Sequence, residues 1–126
     1  MKVEYSDYLL QTAITICYQG KTKTIDRMVI DTGAAHTLIS SDVVDDIGIF
    51  FEPGDLLITM IGVGGEDYSF RKELDSVELG PVKLDKIKVD FGNLDHDIIK
   101  INGLIGLDIL KEGEFILDFK RLELFN

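Results

Sequence analysis

The segment between residues 28 and 40 contains the residues whose types and order could support acid–base chemistry. A short apolar run ends at Asp31. Thr32 and Gly33 then turn the backbone, and a second apolar run follows. A carboxylate at the end of a buried strand can exchange protons with water and substrate if a second acid lies beside it. The same pattern also fits an ordinary turn, in which the aspartate accepts hydrogen bonds from nearby backbone amides.

The histidines, the cysteine and the remaining acidic cluster give no comparable pattern. His36, His96 and Cys17 are too few to build a zinc site of the usual closed kind. Asp95 and Asp97 have the first spacing of a calcium loop, but an apolar residue takes the next ligand position and the required glycine is absent. We therefore predict no metal and no cofactor, and we interpret Cys17 as a buried, unreactive thiol.

The elements that must position Asp31 are mainly strands. Threonine, isoleucine and valine are frequent, and apolar positions partly alternate, over residues 9–18, 21–30, 56–61, 68–79, 82–91 and 114–125. Gln19 and Gly20 between the first two segments are typical of a hairpin turn. Evenly spaced short strands with glycine turns favour a closed or sandwiched β architecture.

Two short helices are predicted between the strands. The first covers residues 42–47, with Ser40 or Ser41 as its N-terminal cap and Gly48 in the left-handed position at its end. The second covers residues 107–112 and ends at Gly113.

Size and charge restrict the partners that we expect. The chain has 126 residues and a formal net charge of −10, which predicts one acidic domain spanning residues 1–126. Such a surface repels phosphate backbones and anionic lipids, so we expect neither a nucleic-acid nor a membrane partner. Acidic residues near the N-terminus are unlike a signal peptide, and we therefore expect a cytoplasmic protein.

Three ordered motifs resemble those of the aspartic proteases, particularly the retroviral-type (retropepsin-like) branch. Residues 28–40 resemble the active-site loop of that family, and residues 58–65 look like its flap, the glycine-tipped hairpin that closes over substrate. Residues 102–110, which include Leu104, Ile105 and Gly106, look like the second signature, whose apolar pair packs beneath the catalytic loop. The resemblance implies a mainly β fold, the closed retropepsin-like β-barrel, with one or two short helices.

The resemblance also implies roles for individual residues. Asp31 would be the catalytic carboxylate, the Thr32 hydroxyl would brace the loop across a dimer, and Gly33 would let the substrate backbone approach closely. Residues that would contact the bound peptide are Ala34, Ala35, His36, Ile61, Gly62, Val63 and Gly64.

The chain contains one Asp-Thr-Gly and is too short for a second lobe. Two carboxyl groups held about 3 Å apart share one proton and can act together as acid and base. The partner of Asp31 must then come from a second copy, which a two-fold axis would place opposite the first. The predicted protein is an obligate homodimer that hydrolyses peptide bonds in peptide or protein substrates.

The sequence departs from the retroviral pattern at two places and leaves alternatives open. Many retroviral enzymes pair an aspartate at the position of Ala35 with an arginine at the position of Leu107, whereas both residues are apolar in this sequence. Those enzymes dimerise through an interleaved terminal sheet, and residues 114–126 could form that strand or a hairpin within one chain. A non-catalytic peptide-binding or dimerisation module, or a monomeric β-barrel that binds a ligand, remains compatible with the sequence.

Overall fold

A computed structural model describes residues 1–62, 65–94 and 100–126. Strands make up most of the described chain, as expected. The strands are β1 (Glu4–Ser6), β2 (Leu9–Tyr18), β3 (Lys21–Ile30), β4 (Leu38–Ser40), β5 (Leu56–Gly62), β6 (Gly65–Leu79), β7 (Val82–Gly92), β8 (Gly103–Ile105), β9 (Ile116–Asp118) and β10 (Glu123–Phe125).

The predicted helices are present, although the first takes a different form. Residues 107–112 form the helix α1 (Leu107–Glu112), as predicted. The expected helix at 42–47 is instead a pair of 3₁₀ turns, Ser41–Val43 and Asp45–Ile47. Ser40 occupies the cap position without donating or accepting a side-chain capping bond, so the predicted serine cap is wrong. Gly48 ends the second turn at φ 84°, in the left-handed region that glycine tolerates.

Strand pairing closes most of the sheet on itself. Eight strands pair in the order β1-β2-β3-β8-β4-β7-β6-β5, and β2 also pairs with β6. The additional pairing joins β2, β3, β8, β4, β7 and β6 into a ring. Closing a sheet in this way removes exposed edges and encloses a core, as in small barrels.

The first hairpin follows directly from its sequence. β2 and β3 are antiparallel, and Tyr18 pairs with Lys21 across the turn. Gln19 and Gly20 between them have φ 49° and 80°, as a two-residue type I′ turn requires. Alternate residues of β2, including Ile14 and Ile16, are fully buried.

The interior of the ring is aliphatic with one aromatic stack. The rings of Phe70 and Phe91 stack with centroids 5.7 Å apart. Fully buried side chains that surround this stack and extend the core are Ile14, Ile16, Met28, Ile39, Val44, Ile49, Leu74, Leu79, Ile105, Ile109 and Leu124. This core holds β3 and β4, which precede and follow the Asp31 loop in the chain, and β8, which pairs with both of them.

The C-terminal segment is a hairpin within one chain. Residues 114–125 do not form one continuous strand: β9 and β10 are antiparallel, with Leu117 opposite Leu124. The chain reverses between them, and Leu122 in this turn has φ 51°. Residues 1–3 lie along the other side of β10, where Met1 and Leu124 exchange backbone hydrogen bonds of 2.7 and 2.9 Å.

No helix in the described ranges is long and apolar enough to cross a membrane.

Candidate active site

The loop that carries Asp31 is held by the central strands of the sheet. β8 lies between β3, to which it is parallel, and β4, to which it is antiparallel. The loop of residues 31–37 therefore spans the end of β8. The Asp31 N–H donates to the Ile105 carbonyl oxygen at 2.9 Å, so the aspartate starts where the paired strands stop.

A tight turn orients the Asp31 carboxylate. The Gly33 N–H donates to Asp31 Oδ1 at 2.9 Å, and the Ala34 N–H donates to the Asp31 carbonyl at 3.2 Å. A Cβ atom on Gly33 would lie 3.2 Å from Asp31 Oδ1, closer than an ordinary van der Waals contact. Asp31 is half-buried, whereas Thr32 and Gly33 are exposed. The carboxylate is thus pre-oriented at the surface of a rigid core.

A buried polar network ties the far end of the loop to α1. Thr37 Oγ1 donates to Asp108 Oδ1 at 2.7 Å, and the Thr37 N–H donates to Asp108 Oδ2 at 2.9 Å. The Gly106 N–H donates in turn to Thr37 Oγ1 at 3.0 Å. Thr37 is completely buried, so this network fixes the end of the loop without relying on solvent-exposed contacts.

Sequence reasoning did not identify Thr37 and Asp108. The two residues are 71 positions apart: Thr37 lies in the segment 28–40 and Asp108 in the segment 102–110, and no role was predicted for either. The only local signal is that Asp108 is an acidic residue in the first turn of α1, where carboxylates are favoured. The network lies beside Ala35 and Leu107, where retroviral enzymes have an ion pair. Here the backbone connects the segments instead, because the Leu107 N–H donates to the Ala34 carbonyl at 2.8 Å.

Gly106 is required because the backbone of the Asp31 loop lies very close to it. A Cβ atom at this position would lie 2.7 Å from the Ala34 carbonyl oxygen and 2.9 Å from the carbonyl carbon of His36. Real side chains do not approach a backbone so closely, so a larger residue must displace the loop. The second signature therefore meets the loop at Gly106, where the two backbones are in close contact.

Three of the residues predicted to contact a peptide line one cavity. It has a volume of about 280 Å³, and its walls are Ala34, Ala35, His36, Leu38, Ile58, Asp90 and Leu104. Ile58 comes from β5, so the cavity lies between the Asp31 loop and the β5–β6 hairpin. Apart from Asp90 and His36 its walls are apolar, and it could hold an aliphatic side chain.

An ion pair neutralises the acidic residue in this cavity. Arg71 donates from Nε to Asp90 Oδ1 at 2.7 Å and from a terminal nitrogen to Oδ2 at 3.2 Å, in the two-pronged geometry typical of this pair. The Asp90 side chain is 9% exposed and that of Arg71 is 25% exposed. The hydrogen bonds from Arg71 to Asp90 raise the pKa of the guanidinium above its ordinary value.

The β5–β6 hairpin contains the segment predicted to be the flap. Ile61 and Gly62 pair with Glu66 and Gly65 at its outer end. Val63 and Gly64, the other predicted peptide contacts, lie outside the described residues.

The base of the same hairpin is anchored by a buried lysine. The side chain of Lys72 on β6 is 8% exposed, and its Nζ lies 2.7 Å from both Glu52 Oε1 and Asp55 Oδ2. Burial alone would lower the pKa of Lys72, but hydrogen bonds to Asp55 and Glu52 outweigh it and raise that pKa. The hydrogen bond from Lys72 lowers the pKa of Asp55, with a smaller contribution from the Glu52 backbone.

Thr32 lies on a second apolar cavity rather than on the one beside Ala34. This cavity of about 250 Å³ is lined by Ile30, Thr32, Leu107, Leu110, Lys111, Phe115, Leu117 and Leu124. The Asp31 loop, α1 and the C-terminal hairpin all contribute to it. Thr32 therefore adjoins a cavity that is separate from the one beside Ala34.

The remaining chemically active side chains form no second centre in the part of the chain that the structure describes. No group of three or more histidine, cysteine or acidic residues there could hold a metal ion. His96, Asp95 and Asp97 lie outside the described residues. Cys17 is half-exposed rather than buried as predicted, and its Sγ lies 3.6 Å from the Asp75 carboxylate.

Comparison with solved structures shows the fold. The crystal structure of a retropepsin-like aspartic protease from Rickettsia conorii matches with a TM-score of 0.63 and 22% sequence identity. The match covers 91% of this chain and 89% of the other. The predicted mainly β, retropepsin-like fold is therefore confirmed. A comparison with curated proteins gave no match.

Comparison with protein families shows the family to which the chain belongs. The sequence matches the family described as aspartyl protease over residues 14–109, about three-quarters of the chain. This range includes the Asp31 loop, the β5–β6 hairpin and the Gly106 segment. The chain therefore belongs to the aspartyl protease family and has a retropepsin-like fold.

Proposed function

We propose that the protein is an aspartic endopeptidase that acts as a homodimer, with Asp31 of each copy forming one catalytic pair. The observation that carries the proposal is the position of Asp31. Its carboxylate is half-buried, accepts a hydrogen bond from the Gly33 N–H, and stands where β3 ends against β8. The aspartyl protease family match, which includes this loop, supports the same assignment.

We assign the second carboxylate to another copy of the chain. The sequence contains one Asp-Thr-Gly, whereas hydrolysis without a metal needs one group to accept a proton and another to donate one. A two-fold axis beside Asp31 would bring two identical loops together, with the carboxyl groups close enough to share a proton. The exposure of Thr32 and Gly33 leaves the loop open to such an approach.

The proposed reaction uses only the two carboxyl groups and water. The ionised carboxylate accepts a proton from water as the water oxygen attacks the peptide carbonyl carbon. The protonated carboxyl donates its proton to the carbonyl oxygen, giving a tetrahedral diol. The carbon–nitrogen bond then breaks as the nitrogen receives a proton from one carboxyl group, while a hydroxyl of the diol gives its proton to the other carboxylate and becomes the carbonyl of the product acid. One proton is thus again on the pair. Every proton is balanced within the pair, so the scheme needs no metal or cofactor.

The peptide would lie extended between the Asp31 loop and the β5–β6 hairpin. Ala34, Ala35 and His36 line the cavity beside the loop, and Ile58 closes it from β5. Extended peptides bind largely through backbone pairing, with pockets that accept alternate side chains. We assign Ile61, Gly62, Val63 and Gly64 to the hairpin end that covers the peptide, and Gly33 to close contact with its backbone.

Digestion of an unbiased peptide library tests the proposal. Wild-type protein should cleave internal bonds, and Asp31→Asn should lower the rate by roughly 10³-fold or more because it removes a proton-transferring group. The matched control is Asp42→Asn, which makes the same change at an exposed position in a 3₁₀ turn and should retain activity. Cleavage by Asp31→Asn at the wild-type rate would refute the proposal.

A separate measurement tests the proposed dimer. Specific activity should fall on dilution in parallel with the dimer fraction seen in sedimentation, because each copy supplies half of the site. A wild-type protein that dimerises and binds peptides but leaves them intact would instead be a non-catalytic binding module. Activity that stays constant while the dimer dissociates would refute the shared site.

A further inference from the structure

The cavity beside the Asp31 loop lies on a face of the sheet where strand pairing aligns a row of five side chains. Leu56 pairs with Arg71, Arg71 with Asp90, Asp90 with Leu38, and Leu38 with Leu104. Residues that pair directly across strands present their side chains to the same face. Three members of the row, Asp90, Leu38 and Leu104, line the cavity. The cavity therefore adjoins a leucine-rich row that contains one charged pair.

Asp90 is held through both its backbone and its side chain. Its N–H donates to the Thr37 carbonyl at 3.1 Å, at the end of the Asp31 loop. Its two carboxylate oxygens accept the hydrogen bonds from Arg71, and the residue as a whole is 6% exposed. A second polar residue of the cavity wall, His36, is exposed. Asp90 therefore holds a carboxylate at a fixed, buried position on the wall that an entering side chain contacts.

Stability alone gives little reason for a charged pair at this position. Taking two charges out of water is costly, and apolar residues of similar volume in place of a buried pair often leave a fold as stable or more so. The neighbours of the pair in the row, Leu56 and Leu38, are apolar. The pair instead changes what the cavity offers to a ligand, because Asp90 without Arg71 would make the wall acidic, whereas Asp90 bound by Arg71 has no net charge.

We propose that Arg71 determines the specificity of this cavity: it neutralises Asp90, so that the cavity accepts an aliphatic side chain of the peptide and rejects a basic one. This inference rests on the proposed function, which places the peptide along the cavity. A basic side chain that enters loses its hydration and meets a carboxylate already bound by a guanidinium. An aliphatic side chain has no such cost and gains contact with the apolar walls.

Removal of the arginine should convert the specificity. In Arg71→Met, Asp90 keeps its place on the wall and its backbone bond to Thr37, but its carboxylate loses the cation that holds it. A lysine or arginine side chain of the peptide can then supply the missing charge and hydrogen bonds. The variant should therefore gain activity on peptides with a basic residue at the position that enters the cavity, and should lose its preference for aliphatic residues there.

Cleavage of a peptide library randomised on both sides of the cleaved bond tests the inference. In Arg71→Met, cleavage with lysine or arginine relative to leucine should rise by roughly tenfold or more. The rise should occur at one position on each side of the bond, because a dimer has one cavity per copy. Arg71→Met combined with Asp90→Leu also removes the carboxylate and should restore the aliphatic preference. Preferences at the other positions are the internal control and should not change.

Two further variants show whether the charge is the decisive property. Arg71→Lys keeps a cation beside Asp90 and should keep the aliphatic preference, even where its overall rate falls. Arg121→Met is the matched control, since it removes an arginine that is 74% exposed from its ion pair with Asp118, and it should change no preference. If circular dichroism shows that Arg71→Met is unfolded, Arg71→Gln replaces it, and a smaller shift in the same direction is expected.

Peptide binding measures the same preference without cleavage. Three labelled peptides based on a cleaved sequence would differ only in leucine, lysine or glutamate at the selected position. Their affinities for Asp31→Asn, alone and combined with Arg71→Met, are measured by fluorescence anisotropy. Arg71→Met should tighten binding of the lysine peptide several-fold and should weaken binding of the leucine peptide, while the glutamate peptide should bind poorly to both proteins.

The outcomes separate the role of Arg71 from the proposed function. Cleavage with the same preferences in wild type and Arg71→Met would overturn the role of Arg71 and leave the proposed function intact. A shift toward basic residues that persists in the double variant would also overturn it, since Asp90 would not be the group that binds them. A wild-type protein that cleaves no peptide of the library would refute the proposed function and, with it, the specificity inferred here.

Discussion

Thr37 and Asp108 form a two-point connection between the Asp31 loop and the helix that follows the second signature. The threonine hydroxyl and the threonine N–H each donate to a different oxygen of the Asp108 carboxylate, at 2.7 and 2.9 Å. The same hydroxyl accepts from the Gly106 N–H. A single buried hydroxyl therefore links the end of the loop to both Gly106 and Asp108, and its loss would leave the buried Gly106 N–H without this acceptor.

Thr37→Val should destabilise the fold by about 2 kcal/mol. Valine has the same shape, but it removes a hydrogen bond to a carboxylate and leaves the Gly106 N–H without its acceptor. Urea denaturation measures the change in free energy of unfolding. Thr37→Ser keeps the hydroxyl and should lose less than half as much, and equal losses in both variants would assign the effect to packing.

Gly106→Ala should reduce peptide hydrolysis at least tenfold. The added methyl group meets the Ala34 and His36 backbone at under 3 Å and must displace the loop that carries Asp31. Rates on a cleaved library peptide measure the effect. Gly20→Ala is the control: Gly20 is at φ 80° with open space around it, so alanine there strains a distant turn and should leave the rate unchanged. A fully active Gly106→Ala would contradict this account of the glycine.

Arg71→Met should destabilise the fold by about 2 kcal/mol, because it leaves the Asp90 carboxylate buried without its partner. The value is below that of a fully buried pair because a quarter of the Arg71 side chain is exposed. Arg71→Met combined with Asp90→Leu removes both charges and should recover most of the loss. Thermal unfolding of the two variants measures the difference, and a double variant no more stable than the single one would show that the arginine acts mainly through packing.

Lys72→Met should lower the urea midpoint at neutral pH by freeing the loop of residues 50–55 from β6. The pKa of Asp55 is lowered in the folded state, so its contribution to stability is present above the unfolded value of about 3.9 and is lost as pH falls through the lower folded pKa. The pKa of Lys72 is raised, so its contribution is present below about 10.4 and is lost as pH rises through the higher folded pKa.

The difference in urea midpoint between wild type and Lys72→Met should therefore be steady from about pH 5 to pH 9 and should close in stronger acid. Lys83→Met removes the same charge from an exposed position on β7 and should leave the midpoint nearly unchanged. A difference that persists undiminished at pH 2 would indicate that the lysine stem, rather than the ion pairs, provides the stabilisation.

The sequence predicted correctly those strands and turns that are specified by neighbouring residues in the chain. The bounds of β2 and β3 agree with the structure because the strands alternate and Gln19-Gly20 specifies their turn. For the C-terminal segment, alternating apolar positions predict strand but do not decide between one strand and a hairpin within the chain, and the structure has the hairpin of β9 and β10. β1 has no such pattern, since its pairing with β2 follows from a turn at Asp7 and Tyr8 in which both residues have positive φ.

The candidate site was predictable where it coincides with a motif. Asp31, Thr32 and Gly33 form the expected turn, and Ala34, Ala35 and His36 line a cavity beside it. The supporting contacts were not predictable, because Thr37 meets Asp108 across 71 residues and Arg71 meets Asp90 across a strand pair. Such pairs depend on the register of strands that sequence alone does not fix.

Raising the salt concentration should strengthen the proposed dimer. Each copy carries a formal charge of −10, so association brings two like-charged molecules together. The screening length falls from about 30 Å at 0.01 M to about 10 Å at 0.1 M salt, which weakens this repulsion but leaves short backbone contacts largely intact. Sedimentation equilibrium at these two ionic strengths should show a several-fold lower dissociation constant at the higher one, with a parallel gain in specific activity at low protein concentration. An unchanged constant would contradict the prediction that repulsion limits association, and a constant that rises with salt would mean that attractive charge pairs across the interface control it.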